Sequence, residues 1–126
     1  MKHIDVLVID DEKKFADMLV MRLGLRGCRC KVFYDGYSGL EWIKENPAAT
    51  ALILLDLQLP DIYGIQVLEA IKVINPEIPV VILTGHGTDA DKQHCEQIGV
   101  YAFANKPLSI EKIITILSQI QKRAEC

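Results

Sequence analysis

Residues 51–56 read ALILLD, five apolar side chains followed at once by an acid. A strand with one wet face alternates apolar and polar residues. An unbroken apolar run is instead covered on both faces, as in a parallel sheet between helices. The flanking sequence repeats the theme. HIDVLVI (3–9), RCKVFY (29–34), PVVILT (79–84) and VYAFA (100–104) read as further strands. Between them, apolar spacing predicts helices over 12–25, with Phe15, Leu19 and Leu23 inward, 35–46, with Leu40 and Ile43, and 64–75, with Val67, Leu68 and Ile71. A more polar helix is expected over 88–98. A last one follows Ser109, which caps it, and buries Ile113, Ile114, Leu117 and Ile120. Five strand–helix pairs in strict alternation predict an α/β doubly wound, five-stranded parallel sheet with helices on both faces.

Bulk properties narrow the function. The chain has 126 residues, the size of one domain spanning 1–126, and carries a formal charge of −3. That charge leaves no electrostatic footprint for nucleic acid or an anionic membrane. No apolar run approaches the ~18 residues of a membrane span. The start is not a secretory signal, so a cytoplasmic location is expected. The cysteines at 28, 30, 95 and 126 are expected to be free thiols. A zinc site from Cys28, Cys30, His94 and Cys95 has no standard spacing behind it.

In such sheets ligands bind beyond the carboxyl ends of the strands. Those ends carry a pattern. Asp10 and Asp11 close the first strand, Asp56 the third and Thr84 the fourth; Lys106 and Pro107 follow the fifth. If the first and third strands are neighbours, ~4.8 Å apart, their carboxylates converge. Converging carboxylates suit a hard divalent cation such as Mg²⁺ (or Mn²⁺). Thr84 and Lys106 add a hydroxyl and a cation that suit a phosphoryl group. Asp56, on the central strand, is the candidate nucleophile for an acyl phosphate. Glu12 is expected only to open the first helix, where acids favour the dipole.

The ordered set VLVIDDE (6–12), ALILLDLQLPDIYG (51–64), VVILTGHG (80–87) and YAFANKPLS (101–109) resembles the receiver domain of bacterial two-component response regulators. INPEIPVVILTGHGT (74–88) is closest in flavour to the nitrogen-regulation class. The resemblance implies the strand order 2-1-3-4-5 and a regulatory domain, not an enzyme on separate substrates. It implies a phosphoryl group accepted on Asp56 from a sensor histidine kinase, a phosphotransfer protein or a small phosphodonor. Asp11, Asp56 and the Gln58 backbone carbonyl would ligate Mg²⁺, with Asp10 acting through water. Thr84, Gly85 and Lys106 would bind phosphoryl oxygens, and the Lys106–Pro107 bond would be cis. Phe103 would turn inward on switching, with Tyr101 facing the same side. The fourth helix, fifth strand and fifth helix would signal to an output domain or partner, or pair as a homodimer. Gln58 and His86 stand where the family tunes the acyl phosphate's lifetime.

Other readings are weaker. GHGTDA (85–90) fits a dinucleotide loop but follows the wrong strand. A flavodoxin-like protein would not place DDEKK where it must cradle phosphate. An aspartate-nucleophile phosphatase needs a second acid two residues on, and Gln58 stands there. A receiver-fold interaction module that does not switch stays as the alternative.

Overall fold

The computed structural model describes residues 3–84 and 88–125. Five strands and five helices alternate: β1 (Ile4–Ile9), α1 (Lys13–Leu25), β2 (Cys30–Phe33), α2 (Gly36–Glu45), β3 (Thr50–Asp56), α3 (Gly64–Ile74), β4 (Val80–Thr84), α4 (Asp89–Ile98), β5 (Ala102–Asn105) and α5 (Ile110–Glu125). The strands are all parallel, in the order β2-β1-β3-β4-β5. This is the expected doubly wound sheet.

Every residue of β3 is buried, as its unbroken apolar run demands. Its side chains divide by parity, because successive residues of a strand point to opposite faces. Leu52 and Leu54 join Val6, Val8, Val81 and Leu83 under α1 and α5, against Ala16, Leu19, Leu23, Ile113, Ile116 and Leu117. Ile53 and Leu55 join Leu7, Ile9, Val80 and Ile82 under the other three helices, against Leu40, Ile43, Val67, Leu68, Ile71 and Cys95. Each such side chain contributes about 1.5–3 kcal/mol by leaving water, so β3 anchors both layers.

Helix starts follow local chemistry. The Asp35 carboxylate accepts the Ser38 N–H at 2.7 Å and opens α2. The Thr88 hydroxyl oxygen accepts the Asp91 N–H at 3.1 Å and opens α4. This cap, with Asp89 and Asp91 in the first turn, accounts for a helix that is polar overall. Asp35→Ala is expected to cost about 1 kcal/mol, read as a lower urea midpoint with unchanged slope.

Three details differ from the sequence reading. Ile116, not singled out by spacing, is buried on α5, while Ile114 and Ile120 are half-buried. The fifth strand starts later than expected, at Ala102. Tyr101 and Phe103 also do not share a face. Tyr101 packs on the α1/α5 side, where its hydroxyl donates to Gln119 Oε1 at 2.9 Å, and Phe103 packs on the opposite side. The reason is local: Tyr101 lies in a bend before the strand, so strand alternation governs only from Ala102 onward.

Among the described residues the cysteines do not assemble. Cys28 and Cys30 pack on the α1/α5 side and Cys95 is buried on the other. Burial pushes the Cys30 thiol up to about 11, the signature of an inert neutral thiol. Cys126, Gly85 and His86 lie outside the described residues.

Candidate functional site

The carboxyl ends of the strands form one edge, and the register decides what meets there. Ile9 of β1 pairs with Leu55 of β3, so Asp10 and Asp56, each one residue further, end side by side. Asp56 in turn pairs with Leu83, placing Thr84 one step beyond it on β4. Thr84 pairs with Asn105, the last residue of β5. The chain then turns through Lys106, whose bond to Pro107 is cis.

Asp10, Asp11 and Asp56 each present a carboxylate oxygen to one small region, all within 4.8 Å of one another. Asp10 is fully buried, Asp56 is 6% exposed, and Asp11 is exposed. Lys106 reaches back into this group. Its Nζ lies 2.9 Å from Asp10 Oδ2, 2.5 Å from Glu12 Oε1 and 3.5 Å from Asp56 Oδ2. The Phe15 ring lies beneath it, 4.7 Å from Nζ to centroid. Burial works against the ammonium, but Glu12 and Asp10 outweigh it and keep Lys106 charged.

Three carboxylates, those of Asp10, Glu12 and Asp56, thus face one ammonium, with Asp11 beside them, and Asp56 registers its surroundings. Burial, the largest cause, pushes its carboxyl up to about 6, and the Asp10 charge adds to this. The Gln58 N–H, donating to Asp56 Oδ1 at 3.1 Å, and Lys106 pull the other way. Asp10 Oδ2 is close enough to Lys106 for an ion pair but lacks a well-aligned hydrogen bond. Three converging carboxylates, in an all-oxygen cluster of excess negative charge, fit a hard divalent cation. The residues present therefore suit Mg²⁺.

Several contacts were not foreseen from the sequence. Glu12 does more than open a helix. Its backbone N–H donates to Asp10 Oδ1 at 2.8 Å while its carboxylate holds Lys106, and α1 itself begins at Lys13. Phe15, assigned by spacing to the core, sits under Lys106 and is only half-buried. Asp61 accepts the Gly36 and Tyr37 N–H groups, both at 2.9 Å, and ties the loop after Asp56 to the start of α2. Asn105 accepts the Thr84 hydroxyl at 3.2 Å. Apart from the Glu12 N–H bond to Asp10, these partners are far apart in sequence, so no spacing rule announces them. Phe103 is half-buried on the α2/α3/α4 side.

The family model of the response regulator receiver domain matches residues 6–118. An NtrX-like response regulator of Rickettsia typhi is 34% identical over 119 residues, covering 94% of this chain and 25% of that protein. The chain thus spans about a quarter of the length of this curated relative. Among solved structures, the receiver domain of NtrX from Brucella abortus superposes with a TM-score of 0.81 at 31% identity, covering 94% of this chain and 98% of that one. A receiver domain protein from Clostridium thermocellum gives a TM-score of 0.88 at 25% identity, covering 97% of each chain. Fold, spacing and relatives agree: the chain belongs to the response regulator receiver domain family.

Proposed function

We propose that the chain, residues 1–126 as a single receiver domain, is a cytoplasmic switch that takes a phosphoryl group on Asp56 and acts on an output domain or partner protein. One observation carries this reading. Asp10, Asp11 and Asp56 lie within 4.8 Å of one another at the strand edge, and Lys106 Nζ is 3.5 Å from Asp56.

In this reading an Asp56 carboxylate oxygen attacks phosphorus in line. The new O–P bond forms as the P–N bond to the histidine of a kinase or phosphotransfer protein breaks, and the imidazole leaves with the electron pair. The only chemistry is on the domain itself. Asp11, Asp56 and the Gln58 carbonyl would hold Mg²⁺, with Asp10 outside them. The split in burial supports this: Asp11 is exposed, whereas Asp10 is fully buried and already engaged by Lys106 and the Glu12 N–H. When bound, Mg²⁺ supplies neutralisation of the incoming phosphoryl charge. Lys106 leaves Glu12 for a phosphoryl oxygen and neutralises it. Thr84 and Gly85 bind the remaining oxygens. Phe103 follows Thr84, and the face of α4, β5 and α5 carries the signal or pairs two copies. Gln58 and His86 set how readily water reaches the acyl phosphate.

The test is direct. With a small phosphodonor and Mg²⁺, the intact protein should gain the mass of one phosphoryl group, removable by hydroxylamine and absent when Mg²⁺ is chelated. No gain, or gain that survives chelation, overturns the reading.

A further inference from the structure

We propose that Asn105 is a positioning residue that holds the Thr84 hydroxyl in the unphosphorylated state and must release it for the phosphoryl group to be bound. This rests on the reading of Asp56 as the phosphoacceptor. The Thr84 hydroxyl donates to Asn105 Oδ1 at 3.2 Å. A hydroxyl has a single proton, so it donates to Asn105 or to a phosphoryl oxygen, never both. The two partners differ in what release means for them. Thr84 is 5% exposed, so its proton must pass from one protein-held acceptor to another. Asn105 is exposed, so its amide oxygen turns to water at little cost. The hold is therefore firm until a better acceptor arrives, and an oxygen bearing formal charge is a better acceptor than an amide.

The hold also has a mechanical connection. Thr84 and Asn105 are paired in the β4/β5 register, and the Lys106 N–H donates to the Thr84 carbonyl at 3.1 Å. Asn105 stands directly before Lys106 and two residues after Phe103. Loss of its bond to Thr84 leaves these backbone bonds in place and removes a side-chain tie between Thr84 and the segment that carries Lys106 and Phe103.

The test is a double-mutant cycle on the full chain, titrating beryllofluoride in the presence of Mg²⁺. Asn105→Ala removes the competing acceptor and should tighten apparent beryllofluoride affinity by about 2- to 12-fold, the range for one neutral hydrogen bond. Asn105→Asp keeps an acceptor and should give no tightening. In a Thr84→Val background there is no hydroxyl to compete for, and Asn105→Ala should have no effect. The proposal is overturned if Asn105→Ala leaves affinity unchanged or weakens it. It is equally overturned if the gain persists in the Thr84→Val background, because the effect would then be general loosening of the strand. If wild type takes neither beryllofluoride nor phosphoryl, the phosphoacceptor reading fails first and takes this one with it.

Discussion

Asp56→Asn is expected to take up no phosphoryl group and, at neutral pH, to unfold at higher urea than wild type. The first result follows from the proposed role of Asp56 as the nucleophile. The second follows from electrostatics. Folding raises the Asp56 carboxyl from 3.8 to about 6, because burial and then the Asp10 charge oppose ionisation more than Gln58 N–H and Lys106 favour it. A raised carboxyl means that the folded state binds its proton more tightly than the unfolded chain does. The associated stability is fully present below pH 3.8 and is lost as pH rises through about 6. A carboxyl raised this far gives up about 3 kcal/mol on ionising in the folded state. Asparagine forgoes the attraction of Lys106, so a gain of roughly 1–3 kcal/mol is expected at about pH 7.5, shrinking toward zero as the pH is lowered to about 4. Mg²⁺ should stabilise wild type more than the variant, since the variant lacks the Asp56 carboxylate proposed to hold it. Urea unfolding at both pH values, with and without Mg²⁺, measures all of this. Equal stability of the two proteins at neutral pH would refute the electrostatic account.

Gly64→Ala is expected to be strongly destabilising and to impair phosphorylation together with stability. A Cβ at position 64 would stand 2.4 Å from Leu57 Cα, 2.7 Å from the Asp56 carbonyl oxygen and 2.8 Å from that of Leu57. All three atoms are backbone, so no side chain can swing aside. Alanine's better helix propensity, worth about 1 kcal/mol at most, acts at the first residue of α3, where it counts least. Overpacking of this kind costs about 1–3 kcal/mol, and backbone-to-backbone contact places it at the upper end. The helix start and the loop behind Asp56 must part, and the Gly64 N–H bond to the Leu57 carbonyl at 3.0 Å goes with them. The same loop presents the Gln58 N–H to Asp56. The urea midpoint and the initial rate of phosphoryl uptake should therefore fall together. A variant with wild-type midpoint and wild-type rate would show that the loop yields freely.

The strand edge was legible because its chemistry is concentrated at element ends. A buried strand such as 51–55 announces itself by an unbroken apolar run, and the first polar residue after it, Asp56, marks where the strand meets water. The same rule located Asp10 and Thr84. The α4 cap at Thr88 is equally local, a side-chain oxygen reaching a backbone N–H three residues on. The placement of Tyr101 fails for the converse reason. Alternation is a property of extended backbone, and a bend at that residue carries its ring to the side opposite Phe103.

By itself the sequence determined the alternation of five strands and five helices, both faces of the core, and the identity of the acids, hydroxyl and lysine at the strand ends. Those are consequences of periodicity and of where apolar runs stop. Only the tertiary structure decided who touches whom at that edge. Glu12 reaches Lys106 across 94 residues of chain, Asp61 caps a helix that precedes it by 25, and Asn105 takes the hydroxyl of Thr84 from 21 residues away. Polar contacts of this kind are set by strand register and loop path, which depend on the packing of the whole sheet. A one-residue slip between β4 and β5 would leave every apolar pattern readable and Asn105 facing a different neighbour.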